Sequence, residues 1–165
     1  MFSFGLRAHD FASGEPEEVA AALASYRSLG ASAIQLAPYK LFPSWKPPRI
    51  DPALARRAAE ALGANGMRVA VLGCYINPVH PEPDELERQL ARFEDHLSRA
   101  ADFFCDLVGT ETGSASADCS FHPDTSKPET FDRLCRSLER LLVATEAAGA
   151  RVGVEPVAYQ HTVDS

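Results

Sequence analysis

The chain has 165 residues, of which 45% are hydrophobic and 24% charged, which is typical of a globular domain and excludes disordered, collagen-like and low-complexity proteins. Its 16 Lys and Arg against 23 Asp and Glu give a net charge of −7, so we expect no nucleic-acid partner. No apolar run approaches the roughly 20 residues of a membrane span, and the first charged residues come too early for a signal peptide. The four cysteines have no CxxC spacing, which predicts free thiols in a reducing compartment and a cytoplasmic location.

Five short apolar runs predict β-strands. They are nearly continuous rather than alternating, as in strands that are covered on both faces of a parallel sheet. In chain order the runs are Phe2–Leu6, Ala33–Leu36, Val69–Leu72, Leu107–Val108 with the residues that follow it, and Val152–Val154.

The first two segments between these runs have the periodicity of amphipathic helices. The helix from Glu17 to Leu29 carries an apolar stripe and stops at Gly30. The next begins at Asp51-Pro52, with Asp51 as the N-cap, and ends near Asn65-Gly66.

Two further helices follow the third and fourth strands. Asp84 and Glu87 predict a capping box, followed by an apolar stripe that extends to Phe104. In the last helix Ser126 and Glu129 repeat the capping pattern, and Gly149 is the expected C-cap.

The resulting βαβαβαβαβ order fits either an open doubly wound sheet or part of a (β/α)8 TIM barrel. No glycine-rich phosphate-binding motif follows a strand, and the long connections all come after strand C-termini, so the barrel is favoured. A complete barrel takes about 250 residues. We therefore expect residues 1–165 to form a single domain, the first five β/α units of an incomplete barrel.

Three residues at strand ends are candidates for chemistry at the barrel mouth. Glu155 follows the fifth strand, where a carboxylate can hold a divalent cation or take a proton; the alternative is an N-cap-like acid or a salt-bridge partner. Glu111 follows the fourth strand, either as an acceptor for a substrate hydroxyl or as an acid binding backbone N–H groups in a glycine-rich turn. Cys74 ends the third strand, where it can contact a substrate.

Histidines and loop aromatics form a second group of candidates. His80 follows the third strand and His161 lies six residues after Glu155; each is either a substrate contact or an ordinary solvated or hydrogen-bonded side chain. His9 either faces the mouth or caps the first strand, whereas His96 and His122 are predicted to be structural. The loop after the second strand contains aromatic residues that either cover a sugar ring or pack onto the rim: Tyr39, Phe42 and Trp45.

Three motifs carry a resemblance to a known family. GCYINPVHP (Gly73–Pro81), VGTETG (Val108–Gly113) and VGVEP (Val152–Pro156) resemble the sugar phosphate isomerase/epimerase family of the xylose-isomerase-like barrel superfamily. The similarity runs from Phe4 to the last residue. It implies a (β/α)8 barrel with one divalent metal ion (Mn, Mg, Co or Zn) at the C-terminal mouth. Of the family's four metal ligands only the fifth-strand Glu has a counterpart, Glu155, so the remaining ligands lie outside this chain.

The resemblance also implies an activity: isomerisation or epimerisation of a sugar or sugar phosphate by metal-assisted proton transfer next to a carbonyl, through an enediolate. Glu155 would be both metal ligand and catalytic residue, and His161, Glu111, Cys74 and His80 would contact the substrate. We expect no membrane partner and a homo-oligomer.

Two alternative functions remain open at this stage. One is a non-catalytic or truncated half-barrel that associates through its open sheet edges. The other is a metal-dependent endonuclease acting on abasic DNA, like endonuclease IV of the same superfamily. That enzyme takes His ligands from strands three and four, and here these strands end in GCYIN and GTETG, without His.

Overall fold

Five parallel strands lie side by side in chain order in one sheet. The computed structural model describes residues 4–46 and 49–157. The strands are β1 (Phe4–Arg7), β2 (Ala31–Leu36), β3 (Arg68–Gly73), β4 (Leu107–Glu111) and β5 (Arg151–Glu155). This order confirms the predicted barrel-type sheet, because in a doubly wound sheet β1 would lie between two other strands. Phe2 and Ser3 of the first predicted run lie outside the described residues.

Among the described residues five α-helices accompany the strands, and each begins with a proline at its first turn. They are α1 (Pro16–Ala24), α2 (Pro38–Leu41), α3 (Pro52–Ala64), α4 (Pro83–Arg99) and α5 (Pro128–Ala148). Proline suits the first helical position because its fixed φ is already helical and its missing N–H would have no partner there. No helix among the described residues is long and apolar enough to cross a membrane.

The hydrophobic core lies between the helices and one face of the sheet. Leu36, Leu72 and Val108 are fully buried there, against Phe93 of α4 and Leu141 of α5. Because successive strand residues point to opposite faces, the positions next to these core residues face away from the helices. Those positions form the face that carries the candidate site.

Two predicted capping boxes are wrong. The N-cap of α4 is Glu82 and that of α5 is Lys127, and neither makes a side-chain cap hydrogen bond. Asp84 therefore lies inside the first turn of α4, and Ser126 ends a separate 3-10 turn. The proline that follows each observed N-cap decides where the helix begins, since it is favoured at the first helical position.

Other helix ends show where local sequence signals succeed or fail. Asp51 is the N-cap of α3, as predicted, and accepts hydrogen bonds from the backbone N–H groups of residues 53 and 54. Gly149 ends α5 in the left-handed conformation, φ 63°, also as predicted. The first helix changes to a 3-10 turn after Ala24, which leaves Leu29 69% exposed rather than on the apolar stripe. Phe104, expected on the stripe of α4, is 71% exposed beyond the helix end.

Candidate active site

Glu111 and Glu155 are neighbours at the C-terminal edge of the sheet. They are the last residues of β4 and β5 and are paired in the parallel register, so their Cα atoms are about 4.8 Å apart across adjacent strands. They follow Gly109 and Gly153 by two residues, and these glycines are themselves paired. The backbone register thus places Glu111 and Glu155 side by side, as expected for two residues that end adjacent parallel strands.

A groove of about 320 Å³ lies on this face of the sheet, and Glu155, Gln35 and Tyr75 contribute polar groups to its lining. Gly109 and Gly153 form part of its floor. A Cβ atom on Gly109 would come within 2.9 Å of Val71 Cγ1, which is closer than real Cβ contacts allow. The missing Cβ of Gly109 thus leaves room for the Val71 side chain, and the groove is lined by backbone at the two glycines and by the apolar side chains of Val71, Leu107 and Val154.

The end of β1 adds an ion pair to the same mouth. Arg7 Nε donates a hydrogen bond to Asp10 Oδ2 at 2.7 Å. This bond raises the pKa of Arg7 and lowers that of Asp10. The Glu155 carboxylate also raises the pKa of Arg7, but by less than Asp10 does.

Tyr75 is a site residue that the sequence motifs did not single out. It lies two residues beyond β3, half-buried, with Lys40 Nζ 4.2 Å from its ring centroid and the His9 ring edge-on at 6.0 Å between centroids. Burial raises the pKa of its phenol, the Arg7 guanidinium opposes this shift, and the carboxylates of Glu111 and Glu155 add to it. Tyr75 lines the groove together with Glu155. Its position just after a strand, inside GCYIN, is the signal that could have identified it.

Cys74 lies in a different cavity from the two carboxylates. It is 3% exposed and lines a space of about 120 Å³ with Tyr39, Arg92 and His96, between the end of β3 and α4. Burial raises the pKa of the thiol to about 12, so it remains protonated at neutral pH. Tyr75 lines both this cavity and the groove, and so forms the wall between them.

His80 is placed in the loop between β3 and α4, where it is buried. Its Nδ1 accepts a hydrogen bond from the backbone N–H of Glu82 at 3.1 Å, and the Arg133 guanidinium donates to its carbonyl oxygen at 3.5 Å. These contacts hold the loop against α5. His161, the remaining predicted substrate contact, lies outside the described residues.

Asn77 connects the two loops that follow β3 and β4. Its Nδ2 donates to the carbonyl oxygens of Ser114 and Ser116 at 2.8 and 3.0 Å, and its Oδ1 accepts from the Ser114 N–H at 3.1 Å. A fully buried amide with these bonds fixes the loops relative to each other. The strand ends that carry Tyr75 and Glu111 are therefore joined by a rigid connection.

The other candidates are structural. Phe42 and Trp45 are buried in the core, which supports packing onto the rim rather than over a ligand. His96 is buried with Nδ1 2.8 Å from the Arg92 carbonyl oxygen, and His122 Nδ1 caps a 3-10 turn, both as predicted. All four cysteines are free, as the spacing predicted.

The donor atoms at the mouth are suitable for a divalent cation but form only part of a coordination shell. Carboxylate oxygens, such as those of Glu155 and Glu111, are the ligands that Mg²⁺ and similar hard ions prefer. Residues 4–46 and 49–157 contain no group of three His, Cys, Asp or Glu side chains arranged to hold a metal ion. Glu155 fits as one ligand of such an ion, and the other ligands must come from elsewhere.

A parallel sheet in chain order, helices on one face and carboxylates at the C-terminal strand ends together define part of a (β/α) barrel of the TIM type. The chain belongs to the xylose isomerase-like TIM barrel family, whose sequence model matches residues 23–164. The family resemblance seen in the three sequence motifs is thereby confirmed. No curated protein matches the chain in sequence.

Solved structures share this fold at low sequence identity. A D-psicose 3-epimerase determined in the presence of D-fructose is 14% identical, with a TM-score of 0.71 over 99% of this chain and 56% of its own. A xylose isomerase-like TIM barrel protein from Mycobacterium smegmatis in complex with magnesium is 14% identical, with a TM-score of 0.60 over 97% of this chain and 58% of its own. Endonuclease IV from Thermus thermophilus is 21% identical, with a TM-score of 0.51 over 91% of this chain and 50% of its own. The chain thus spans about half the length of these proteins, and the likeness shows the fold alone.

Proposed function

We propose that the chain forms the N-terminal part of an isomerase or epimerase that acts on a sugar or sugar phosphate. The observation that carries the proposal is the pairing of Glu111 and Glu155 at the edge of a groove with a glycine floor. Carboxylates beside a groove of this size suit proton transfer on a small polyhydroxylated molecule. The structural likeness to a D-psicose 3-epimerase supports the same class of reaction.

Glu155 is the proposed base. It ends β5 on the groove side, where a substrate lying on the glycine floor brings a carbon-bound proton toward its carboxylate. A general base must come within hydrogen-bond reach of the proton that it removes, and Glu155 is exposed at the groove, which leaves room for this approach. Glu111, one strand away, then accepts a hydrogen bond from a substrate hydroxyl.

Glu155 also has the chemistry of a metal ligand and would hold a divalent ion together with donors outside the described residues. When bound, such an ion supplies Lewis-acid polarisation of the substrate carbonyl and so acidifies the neighbouring C–H. The magnesium complex of the Mycobacterium smegmatis barrel supports a divalent ion in this fold family.

The two alternative functions differ in what supports them. A non-catalytic half-barrel is supported by the open edges, since within the described residues β1 pairs only with β2 and β5 only with β4. A nuclease is supported by the fold of endonuclease IV. Two observations argue against a nuclease. The net charge is −7, and no histidine lies within three residues after β3 or β4.

The test compares two chemically identical changes on neighbouring strands. In the whole gene product, Glu155→Gln is expected to slow proton–deuterium exchange at the substrate carbon at least about 100-fold, because the amide keeps the shape but cannot accept the proton. Glu111→Gln, the matched control, should cost less because an amide oxygen still accepts a hydroxyl hydrogen bond. Exchange is followed by NMR in heavy water on a panel of sugars and sugar phosphates, with and without a chelator.

The outcomes separate the base from the metal. Undiminished exchange in Glu155→Gln would exclude Glu155 as the base. Exchange that does not respond to the chelator would exclude the divalent ion. Circular dichroism of both variants controls for the fold.

A further inference from the structure

The ring of Tyr75 is held on two sides, and this fixes the direction of its hydroxyl. Lys40 Nζ lies 4.2 Å from the ring centroid as a cation–π contact, and His9 meets the ring edge-on. Lys40 comes from α2 and His9 from the 3-10 turn after β1, so elements following two different strands hold the ring. A phenol positioned in this way can make a directional hydrogen bond with little loss of side-chain freedom.

The hydroxyl end of Tyr75 lies among the polar groups of the barrel mouth. It interacts electrostatically with Arg7 at the end of β1, Glu111 at the end of β4 and Glu155 at the end of β5. Tyr75 also lines the groove that has Gly109 and Gly153 in its floor. The Tyr75 side chain therefore forms one wall of the proposed site.

The groups around the groove differ in hydrogen-bonding capacity. An ionised carboxylate only accepts hydrogen bonds, whereas a neutral phenol donates one. A ligand that spans from Tyr75 to Glu111 must therefore present a donating hydroxyl to the carboxylate, and it can present an accepting oxygen to the O–H of the phenol. Neighbouring hydroxyl groups, or a hydroxyl beside a carbonyl, satisfy both, and these are the groups of a polyhydroxylated ligand.

We propose that Tyr75 is a specificity-determining residue that donates a hydrogen bond to one oxygen of a sugar lying on the Gly109–Gly153 floor. This inference rests on the proposed function, which supplies the class of ligand. It adds the residue that recognises one particular oxygen of that ligand. Tyr75 acts by contact with the ligand, and the carboxylates retain their proposed roles.

Tyr39 provides a matched control for Tyr75. Its hydroxyl is buried without a hydrogen-bond partner among the described residues, and it lines the neighbouring cavity rather than the groove. Tyr39→Phe and Tyr75→Phe each remove one hydroxyl from a half-buried ring; both rings line the Cys74 cavity, but only Tyr75 also lines the groove. A phenylalanine at 75 also keeps the ring that contacts Lys40.

The experiment measures binding of D-fructose and its monodeoxy analogues to the whole gene product by NMR titration. We expect Tyr75→Phe to weaken D-fructose binding about fivefold, the effect of one neutral hydrogen bond. One deoxy analogue, the one that lacks the contacted oxygen, should bind equally to wild type and Tyr75→Phe. Tyr39→Phe should leave every dissociation constant unchanged.

The possible results can be told apart. Equal weakening for all analogues would show a structural role for Tyr75, and unchanged binding in Tyr75→Phe would exclude the contact; both overturn this inference while leaving the proposed function in place. An equal effect of Tyr39→Phe would overturn it as well. If wild type binds neither D-fructose nor any analogue, this inference is overturned as stated, whereas the proposed function is decided separately by proton exchange on the panel of sugars and sugar phosphates.

Discussion

We expect the free energy of unfolding of this protein to depend on pH through one buried histidine, His96. Its side chain is 1% exposed, and Nδ1 donates a hydrogen bond to the Arg92 carbonyl oxygen at 2.8 Å. Burial lowers its pKa from 6.5 to about 4. The folded chain therefore keeps a neutral imidazole at a pH where the unfolded chain already binds a proton.

The direction and size of the effect follow from proton linkage. Between pH 6.5 and about 4 the unfolded state binds more protons than the native state at this residue, so the free energy of unfolding falls as the pH falls. Above pH 6.5 the contribution of His96 is fully present. A shift of this size corresponds to about 3 kcal/mol, a large fraction of the total stability of a domain.

The assay is urea unfolding of wild type and His96→Phe between about pH 7.5 and pH 4. Phenylalanine retains an aromatic ring beside Tyr39, whose ring lies 5.7 Å from that of His96, but does not titrate. Carboxylates titrate in both proteins, so the difference between the two curves isolates His96. His122→Gln, a change in a half-buried loop histidine, is the control and should follow wild type. Parallel curves for wild type and His96→Phe would refute the reasoning.

Two further predictions concern helix capping and association. Asp51→Ala should lower the free energy of unfolding by about 1 kcal/mol, because Asp51 Oδ1 accepts the Ala53 N–H at 2.7 Å. Asp84→Ala should cost about 0.5 kcal/mol or less, since Asp84 only faces the helix dipole; equal losses in thermal unfolding would contradict the assigned cap. The polypeptide of residues 1–165, prepared alone, should dimerise or aggregate through the edges of β1 and β5, where Phe4 and Val154 are exposed. A sharp monomer in light scattering across micromolar concentrations would contradict this.

The strands could be predicted from sequence because each is a short apolar run bounded by residues typical of turns and helix ends. The pairing register could not be predicted in this way, and it shifts between Phe4 and Gly5 and between Ile34 and Gln35. Helix starts were harder to place, since two signals competed within a few residues. At α4 and α5 the polar pairs Asp84/Glu87 and Ser126/Glu129 resemble capping boxes, yet Pro83 and Pro128 fix the first turn. Where Asp51 directly precedes Pro52 both signals agree, and the prediction was correct.

Prediction of the candidate site from sequence was limited in a different way. Glu111 and Glu155 could be brought together from sequence because parallel strands end at a common edge. Cys74 and Tyr75 could also be placed at that edge. The sequence did not show, however, which of them faces α4 and which faces the groove. They are adjacent in sequence, and Cys74 is packed against α4 while Tyr75 lines the groove. Beyond the last paired residue the loop conformation decides which way a side chain points, and this conformation depends on distant contacts such as that between Asn77 and Ser114.

The row of glycines beneath the carboxylates favours a ligand site over a purely structural half-barrel. Gly73, Gly109 and Gly153 are paired with one another across β3, β4 and β5. Glycine within a strand costs roughly 0.5–1 kcal/mol relative to alanine, so three in one row reduce the stability of the sheet. Packing explains Gly109, where a Cβ would meet Val71 Cγ1 at 2.9 Å, but not Gly73, where the nearest atoms lie at an ordinary 3.5 Å. One of those atoms is Cε2 of Tyr75. A side chain at position 73 would thus reduce the space beside the Tyr75 ring on the side of the Cys74 cavity, which Gly73 lines, whereas Gly109 and Gly153 line the groove.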